Sequence, residues 1–399
     1  MYCKKVKTKS GSVWECVEDG PPNPTTGRRR QIKRRGKTRL EAKKRVEEIL
    51  NSLLDDGIDY RVSTVMTFEK VARTWLEVYA ATGVKRGSVR IREKEINLLN
   101  EYLARAPITD ITHYMYQNLL IDLDKRGYAR TTISGCNTCA NMIFKYAKRN
   151  KLIKENPRED AIVPKKKISI KDLEENSIKE SFFESEELDT FLNVVLSIGL
   201  DLDKEWFFTL AFSGMRPGEL VALKKSDLNF IKSTIRISKT LYSEKNNMKK
   251  YLLDTTKTNR SRIVDMDESI MKMLKQLVKA NNRHKMKYQT VVEDFHDEDF
   301  VFQRYNGYPF LTKNLSSRMK RLLKSSGIKK ELTPHSFRHT HISMMTETGA
   351  ELSTIMERVG HIDPNTTLKV YTHVTEKMKA TSIKNVTAHH TNILEKLSL

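Results

Sequence analysis

ELTPHSFRHTH, residues 331–341, places three histidines and one arginine within seven positions. His335 and His339 stand four apart, the spacing by which one helical face offers two metal ligands. Arg338 argues for a different occupant. A guanidinium keeps its proton and repels a dication, whereas its forked N–H groups suit the paired oxygens of a phosphate. An anion is therefore the expected guest. Thr333 and Pro334 read as the N-cap and first residue of a helix, which puts His335 and Arg338 on one face near its positive end. His341 projects instead with Phe337 and Met344 and reads as a packed core histidine.

The whole chain favours a polyanionic partner. Its 399 residues include 72 Lys or Arg against 50 Asp or Glu, a formal charge of +22, and such an excess draws nucleic acid or another polyanion. The length suits two or three domains, each able to bury its own core. No apolar run approaches the roughly 18 residues of a membrane span, and MYCKKVKTKS at the start lacks the apolar stretch of a signal peptide. A cytoplasmic, nucleoid-associated protein with no membrane partner is expected. Four cysteines are too few for a disulfide framework in so long a chain, which points to a reducing compartment. Cys136 and Cys139 form a C-x2-C, yet Ile133, Cys136, Cys139, Ala140, Ile143, Phe144 and Ala147 fall on one helical face. Core packing is the reading, with no metal and no cofactor expected.

Three domains are expected, at residues 1–64, 65–165 and 166–399. The first 55 residues hold 15 Lys or Arg against 7 Asp or Glu. The pieces YCKKVKTK, SVWECVED and RRRQIKRR, separated by turn signals, read as a small three-stranded sheet. Thr38 and Glu41 make a capping box for a helix with Val46, Ile49, Leu50, Leu53 and Leu54 facing inward. The third strand carries Arg28, Arg29, Arg30, Lys33, Arg34 and Arg35, a set that suits a DNA groove. The alternative is a solvated basic tail, against which Trp14 and the capped helix count. From Thr67 to Pro157 the periodicity is helical throughout. Lys145, Lys148 and Arg149 take the polar side of the cysteine-bearing helix, where they fit phosphate contacts or an ordinary wet face equally well. Residues 158–180, with Pro164 and a lysine run, read as an exposed linker. Beyond it, Ser185 is the expected N-cap of a helix, WFFTLAFSG a buried helix ending at Gly214, and STIRISK and RSRIVDM short strands flanking a hairpin. The class is mainly α with small β-sheets.

Arg216 lies in SGMRPGEL just before Pro217, which fits the first helical position and places the arginine where backbone N–H groups favour an anion. Glu219 would orient that guanidinium or serve as a first-turn acid. In ELSTIMERVGHIDPNTTLKVYTHV, residues 351–374, a helix closes at Gly360 with His361 immediately beyond. A short helix after Asp363-Pro364 would display Tyr371.

Arg216, His335 with Arg338, His361 and Tyr371 together resemble, in order and spacing, the catalytic set of the tyrosine recombinases, specifically lambda-integrase-like enzymes of phages and integrative conjugative elements. The family's hairpin lysine resembles Lys257 in TTKTNRSRIV, with Lys249 and Lys250 nearby. The resemblance implies a basic arm-binding domain, a helical core-binding domain and a mixed α/β catalytic domain. It also implies a 3′-phosphotyrosyl intermediate on Tyr371, with Arg216 and Arg338 on the scissile phosphate and His361 donating a further hydrogen bond. His335 would handle the tyrosine proton, and Lys257 would protonate the leaving 5′-oxygen. The implied partners are double-stranded attachment sites, three further copies of the chain, an excisionase and a host DNA-bending protein. TAHHTNILEKLSL at the C-terminus, with Ile393, Leu394 and Leu397, would dock on a neighbouring protomer or fold back on its own domain. A type IB-like topoisomerase and a non-catalytic DNA-binding regulator are the competing readings. An intact set of polar site residues would be superfluous in the regulator, and a separate basic N-terminal domain in the topoisomerase.

Overall fold

A computed structural model of the chain describes residues 1–8, 11–20, 29–51, 66–165, 182–365, 367–368 and 370–375. Arg28, Leu53, Leu54, most of the expected linker and the C-terminal patch of Ile393, Leu394 and Leu397 lie outside these residues. The chain divides into two compact units, Met1–Ile168 and Ser169–Leu399.

The first unit opens with β1 (Tyr2–Thr8), β2 (Gly11–Gly20) and β3 (Arg30–Gly36), an antiparallel sheet in that order. Cys16, Ile32, Ala42 and Val46 form its small core against α1 (Arg39–Asn51). Ile49 and Leu50 pack at its edge. Thr38 caps α1 by accepting the Glu41 N–H at 3.1 Å, and the Glu41 carboxylate reaches back to the Lys37 N–H at 2.7 Å. β3 can end against α1 only because residue 36 is glycine: a Cβ there would lie 2.6 Å from the Ala42 nitrogen. One expectation changes here. Cys3 and Cys16 are joined in a disulfide. They are register partners on β1 and β2, a juxtaposition that cysteine counting cannot see.

Four helices follow in the same unit: α2 (Phe68–Ala81), α3 (Arg86–Leu103), α4 (His113–Lys125) and α5 (Arg130–Arg149). All seven residues expected on the inner face of α5 are buried. Burial pushes the free thiols of Cys136 and Cys139 up to about 11 and about 12, which keeps them protonated and unsuited to metal. The start of the expected linker is tethered while its side chains, Ile162 at 71% among them, remain largely exposed. The Gln117 amide donates to the Ile162 carbonyl and accepts its N–H, both at 2.9 Å, while Ala161 and Val163 pack on the helical core.

In the second unit, α6 (Ser185–Ile198) is capped by Glu184 rather than Ser185, because the Glu187 carboxylate accepts the Glu184 N–H at 2.9 Å. Then come α7 (Asp203–Ser213), α8 (Pro217–Leu220), β4 (Leu228–Asn229), β5 (Thr234–Ile237), β6 (Lys239–Ser243), β7 (Tyr251–Thr255) and β8 (Arg262–Asp265). α9 (Glu268–Tyr288), α10 (Thr312–Ser326), α11 (Ser336–Glu347) and α12 (Leu352–Val359) complete the named elements. β4, β5 and β8 form one antiparallel sheet, and β6 and β7 a separate hairpin. The core is aromatic where α11 enters it: the Phe337 ring lies 5.0 Å from Phe183, 5.6 Å from Phe191 and 5.7 Å from Phe207. α11 begins at Ser336, not at Pro334, since the Ser336 hydroxyl accepts the Thr333 N–H at 3.1 Å and holds a separate turn ahead of the helix.

Gly214 ends α7 in the left-handed region at φ 62°, and a Cβ there would stand 2.7 Å from the His341 ring. Gly214→Ala should therefore destabilise the protein by about 2 kcal/mol through combined backbone strain and collision. Urea denaturation of wild type and variant checks this.

Candidate active site

The turn from α7 to α8 builds the first part of the site. Gly214 reverses the chain, Pro217 starts α8, and Arg216 becomes its N-cap. Glu219 then folds back on Arg216, accepting its backbone N–H and its Nη1, each at 2.9 Å. The carboxylate is buried, 1% exposed. A second guanidinium shares it: Arg262, first residue of β8, donates Nη2 to Oε2 at 2.7 Å and Nη1 to Oε1 at 3.4 Å. Burial opposes ionisation of Glu219, but the Arg262 hydrogen bond and charge, joined by the Arg216 N–H, outweigh it and hold the carboxyl below its usual range.

Arg338 enters from α11 with no exposed surface. Its Nη1 donates to the Gly214 carbonyl at 2.9 Å and its Nε to His361 Nε2 at 3.1 Å. Its Nη2 is buried and has no partner. Burial first, then the charge of Arg216, pushes this guanidinium down to about 8. Two guanidiniums, Arg216 and Arg262, thus share one carboxylate, a third, Arg338, stands close enough to feel their charge, and the surplus positive charge calls for an anion.

His361 follows Gly360, which closes α12 at φ 70°. Its Nε2 accepts from Arg338, so Nδ1 carries the proton and donates to Thr367 Oγ1 at 2.7 Å. In this arrangement His361 is an acceptor at the face turned to Arg338. Burial, Arg338 and Arg216 push it down to about 3. His335 sits at the start of α11 with its ring 5.2 Å from that of His339, edge to face. Part of its surface still meets solvent, yet withdrawal of the rest, followed by His339, Arg338, Arg216 and Lys257, pushes it down to about 4. His341 is a core histidine as expected: Nδ1 donates to the Ala211 carbonyl at 3.0 Å and Nε2 accepts from Arg358 at 2.9 Å.

Lys257 lies exposed in the loop between β7 and β8, close enough for its charge to bear on His335. Thr256 closes that loop by donating to the Arg260 carbonyl at 2.7 Å. Lys249 is engaged by Asp294, and Lys250 is exposed near the other end of the hairpin. Tyr371 is half-buried in the helical stretch 370–375, against a small cluster that includes Phe182, Ile342, Ile355 and Val359. Among the described residues no hydrogen bond joins its hydroxyl to the arginines. Beside His361 a cleft of about 500 Å³ opens between Arg236, Thr258, Arg260 and Arg262.

The expected DNA-contacting cations belong to the first unit. On β3, Lys33 and Arg35 pair with the buried Glu15 at 3.0 and 2.8 Å and Arg34 donates to the Lys33 carbonyl, while Arg29, just ahead of the strand, pairs with Asp19. Arg30 is partly exposed at the head of the strand, and Lys145, Lys148 and Arg149 are exposed on α5. Among the described residues no group of three His, Cys, Asp or Glu side chains is placed to hold a metal ion. None of the described helices is long and apolar enough to cross a membrane.

Sequence reading missed Arg262 and Arg358. A signal for the first was present in RSRIVDM. Residue 262 shares a strand face with the buried Val264, while the apolar Ile263 between them is 67% exposed. A charged residue on the inner face is a departure from the strand pattern that demands a buried partner.

The depressed histidines carry a pH signature. His341 is pushed from 6.5 to about 4 by burial and then Arg358, so the unfolded chain binds the extra proton first. Its contribution to stability is complete above about 6.5 and drains away as pH falls toward about 4. Thermal melts across that interval should show a falling melting temperature, with a shallower slope in His341→Gln, which keeps a donor and an acceptor but cannot titrate.

Comparison with known proteins finds relatives along most of the chain. Residues 181–378, which contain all six candidate catalytic residues, match the phage integrase family. The integrase of Staphylococcus phage L54a is 30% identical over 359 residues, covering 84% of this chain and 96% of its own. The Tn1549 transposon integrase, solved in complex with transposon right end DNA, superposes with a TM-score of 0.63 at 20% identity, covering 81% of this chain and 100% of that one. A lambda integrase tetramer bound to a Holliday junction gives 0.57 at 15% identity, covering 92% of this chain and 94% of that one. An unpartnered buried guanidinium, its charged neighbours and this degree of identity lead to one conclusion: the chain belongs to the phage integrase family of tyrosine recombinases.

Proposed function

We propose that the protein is a site-specific DNA recombinase whose phosphate site is built by Arg216 and Arg338, with Tyr371 as nucleophile. The observation that carries the reading is Arg338 Nη2, a buried N–H group without a partner beside a second guanidinium. A phosphodiester under attack spreads extra negative charge over its non-bridging oxygens, and fixed donors aimed at that charge lower the barrier. The tyrosine oxygen bonds to phosphorus as the bond to the 5′-oxygen breaks. His335, neutral at neutral pH, is free to take the tyrosine proton, and Lys257 gives one to the departing 5′-oxygen. Bond energy stays in the adduct. A 5′-hydroxyl from another duplex then reverses the step, which joins new strands without ATP.

The partner is double-stranded DNA at attachment sites, and strand exchange between two duplexes calls for four copies of the chain, as in the lambda integrase assembly. Residues 1–64 would bind arm sites, 65–165 core sites and 166–399 carry the chemistry. In support, the core of the small sheet and that of the four-helix unit share no residue. An excisionase and a host DNA-bending protein would set direction, in the cytoplasm beside the nucleoid.

Tyr371→Phe should form no covalent adduct on attachment-site DNA while binding it as well as wild type. Denaturing gels after incubation decide this, and an adduct with the variant would rule Tyr371 out. For the lysine, Lys257→Ala should cleave ordinary DNA poorly, since an alkoxide leaves badly, yet recover when sulfur replaces the bridging 5′-oxygen, because a thiolate needs no proton. Recovery by Lys249→Ala or Lys250→Ala instead would move the role along the hairpin.

A further inference from the structure

We infer that Arg262 is a positioning residue that keeps Arg216 available to the phosphate and ties it to the elements bearing His361 and Lys257. The inference rests on the reading of Arg216 as a phosphate ligand. The side chain of Arg262 is only 9% exposed, and each of its three donor nitrogens is committed. Nη1 and Nη2 hold the two oxygens of Glu219, and Nε donates to the Arg358 carbonyl at 2.9 Å, in the last turn of α12. The side chain packs against the turn that follows: a Cβ on Gly360 would stand 3.2 Å from its Cδ and Nη1. His361 is the next residue. Arg262 also begins β8, immediately after the Thr256-closed loop that carries Lys257.

Charge gives this contact a role beyond packing. Glu219 alone with Arg216 would make a neutral, hydrogen-bonded pair, with the guanidinium held against the carboxylate rather than free for a phosphate. With Arg262 on the same carboxylate, the trio carries one net positive charge. Arg216 then keeps its charge for the phosphate. Lysine at 262 would supply the charge but not the three-way fork that spans Glu219 and the α12 carbonyl.

The test compares single-turnover cleavage of ordinary DNA with DNA bearing a methylphosphonate at the scissile position, where one charged oxygen is replaced by methyl. Arg262→Gln should bind DNA normally and cleave the ordinary phosphate about 10- to 100-fold more slowly, the range seen when a supporting residue is lost. Arg262→Lys should recover part of that. Both deficits should shrink on the methylphosphonate, as should that of Arg216→Ala, because the neutral group asks less of Arg216. If Arg216→Ala is relieved there and the Arg262 variants are equally slow on both substrates, Arg262 is merely structural and the inference is wrong. If Arg216→Ala is not relieved either, the reading of Arg216 fails and the inference goes with it. Should Arg262→Gln not fold, Arg262→Lys carries the same comparison.

Discussion

One buried carboxylate organises the second unit. Glu219 is paired on one side with the arginine that starts its own helix and on the other with an arginine from a strand 43 positions away. A lone carboxylate at that depth would be costly, and a single partner would cancel the charge that the site requires. Two partners satisfy the acid and leave a surplus. Because those partners come from α8 and β8, the same ion group also fixes the position of the small sheet relative to the α7–α8 turn. Through the Arg358 carbonyl the network extends to α12 and so to His361.

α11 meets the opposite demand, since it is buried on nearly every side and yet carries charge. Phe337 anchors it in the aromatic core, and Thr340 accepts the Phe183 N–H at 2.9 Å. With the helix held on that side, Arg338 can project the other way and donate to the Gly214 carbonyl. That carbonyl belongs to the left-handed residue whose missing side chain makes room for His341. A single glycine therefore serves the histidine from α11 and the arginine from α11 at once. Loss of that clearance would disturb packing and the phosphate site together.

Much of this was legible in the residues, and what was not has identifiable causes. Helices and strands followed from periodicity, and order and spacing supplied the candidate set Arg216, His335, Arg338, His361 and Tyr371, of which the structure gathers Arg216, Arg338 and His361 and leaves Tyr371 in a separate cluster. Helix starts slipped by one or two residues where side chains compete to cap, as Glu184 does with Ser185 and as the Ser336 hydroxyl does with the Thr333–Pro334 turn. The Cys3–Cys16 bond depends on strand register, and the docking of Ile162 on one glutamine amide, neither of which composition encodes. Arg262 was hidden for a different reason. Its partners, Glu219 and the Arg358 carbonyl, lie far away in sequence, and a strand arginine ordinarily reads as solvent-facing.

Arginines give such a site a particular balance. A cation held by ligands brings its charge with it and can leave, whereas guanidiniums are part of the fold and repel one another whenever no anion lies between them. Burial first, and that repulsion after it, depress the protonation of Arg338, His335 and His361. An anion placed between them would relieve it, in a chain whose overall charge already favours a polyanion. Tyr371 is kept apart from this pressure, packed in its own small apolar cluster with α11 and α12. The arginines' charge is therefore not spent on its hydroxyl, to which no hydrogen bond joins them among the described residues, and is left for an anion.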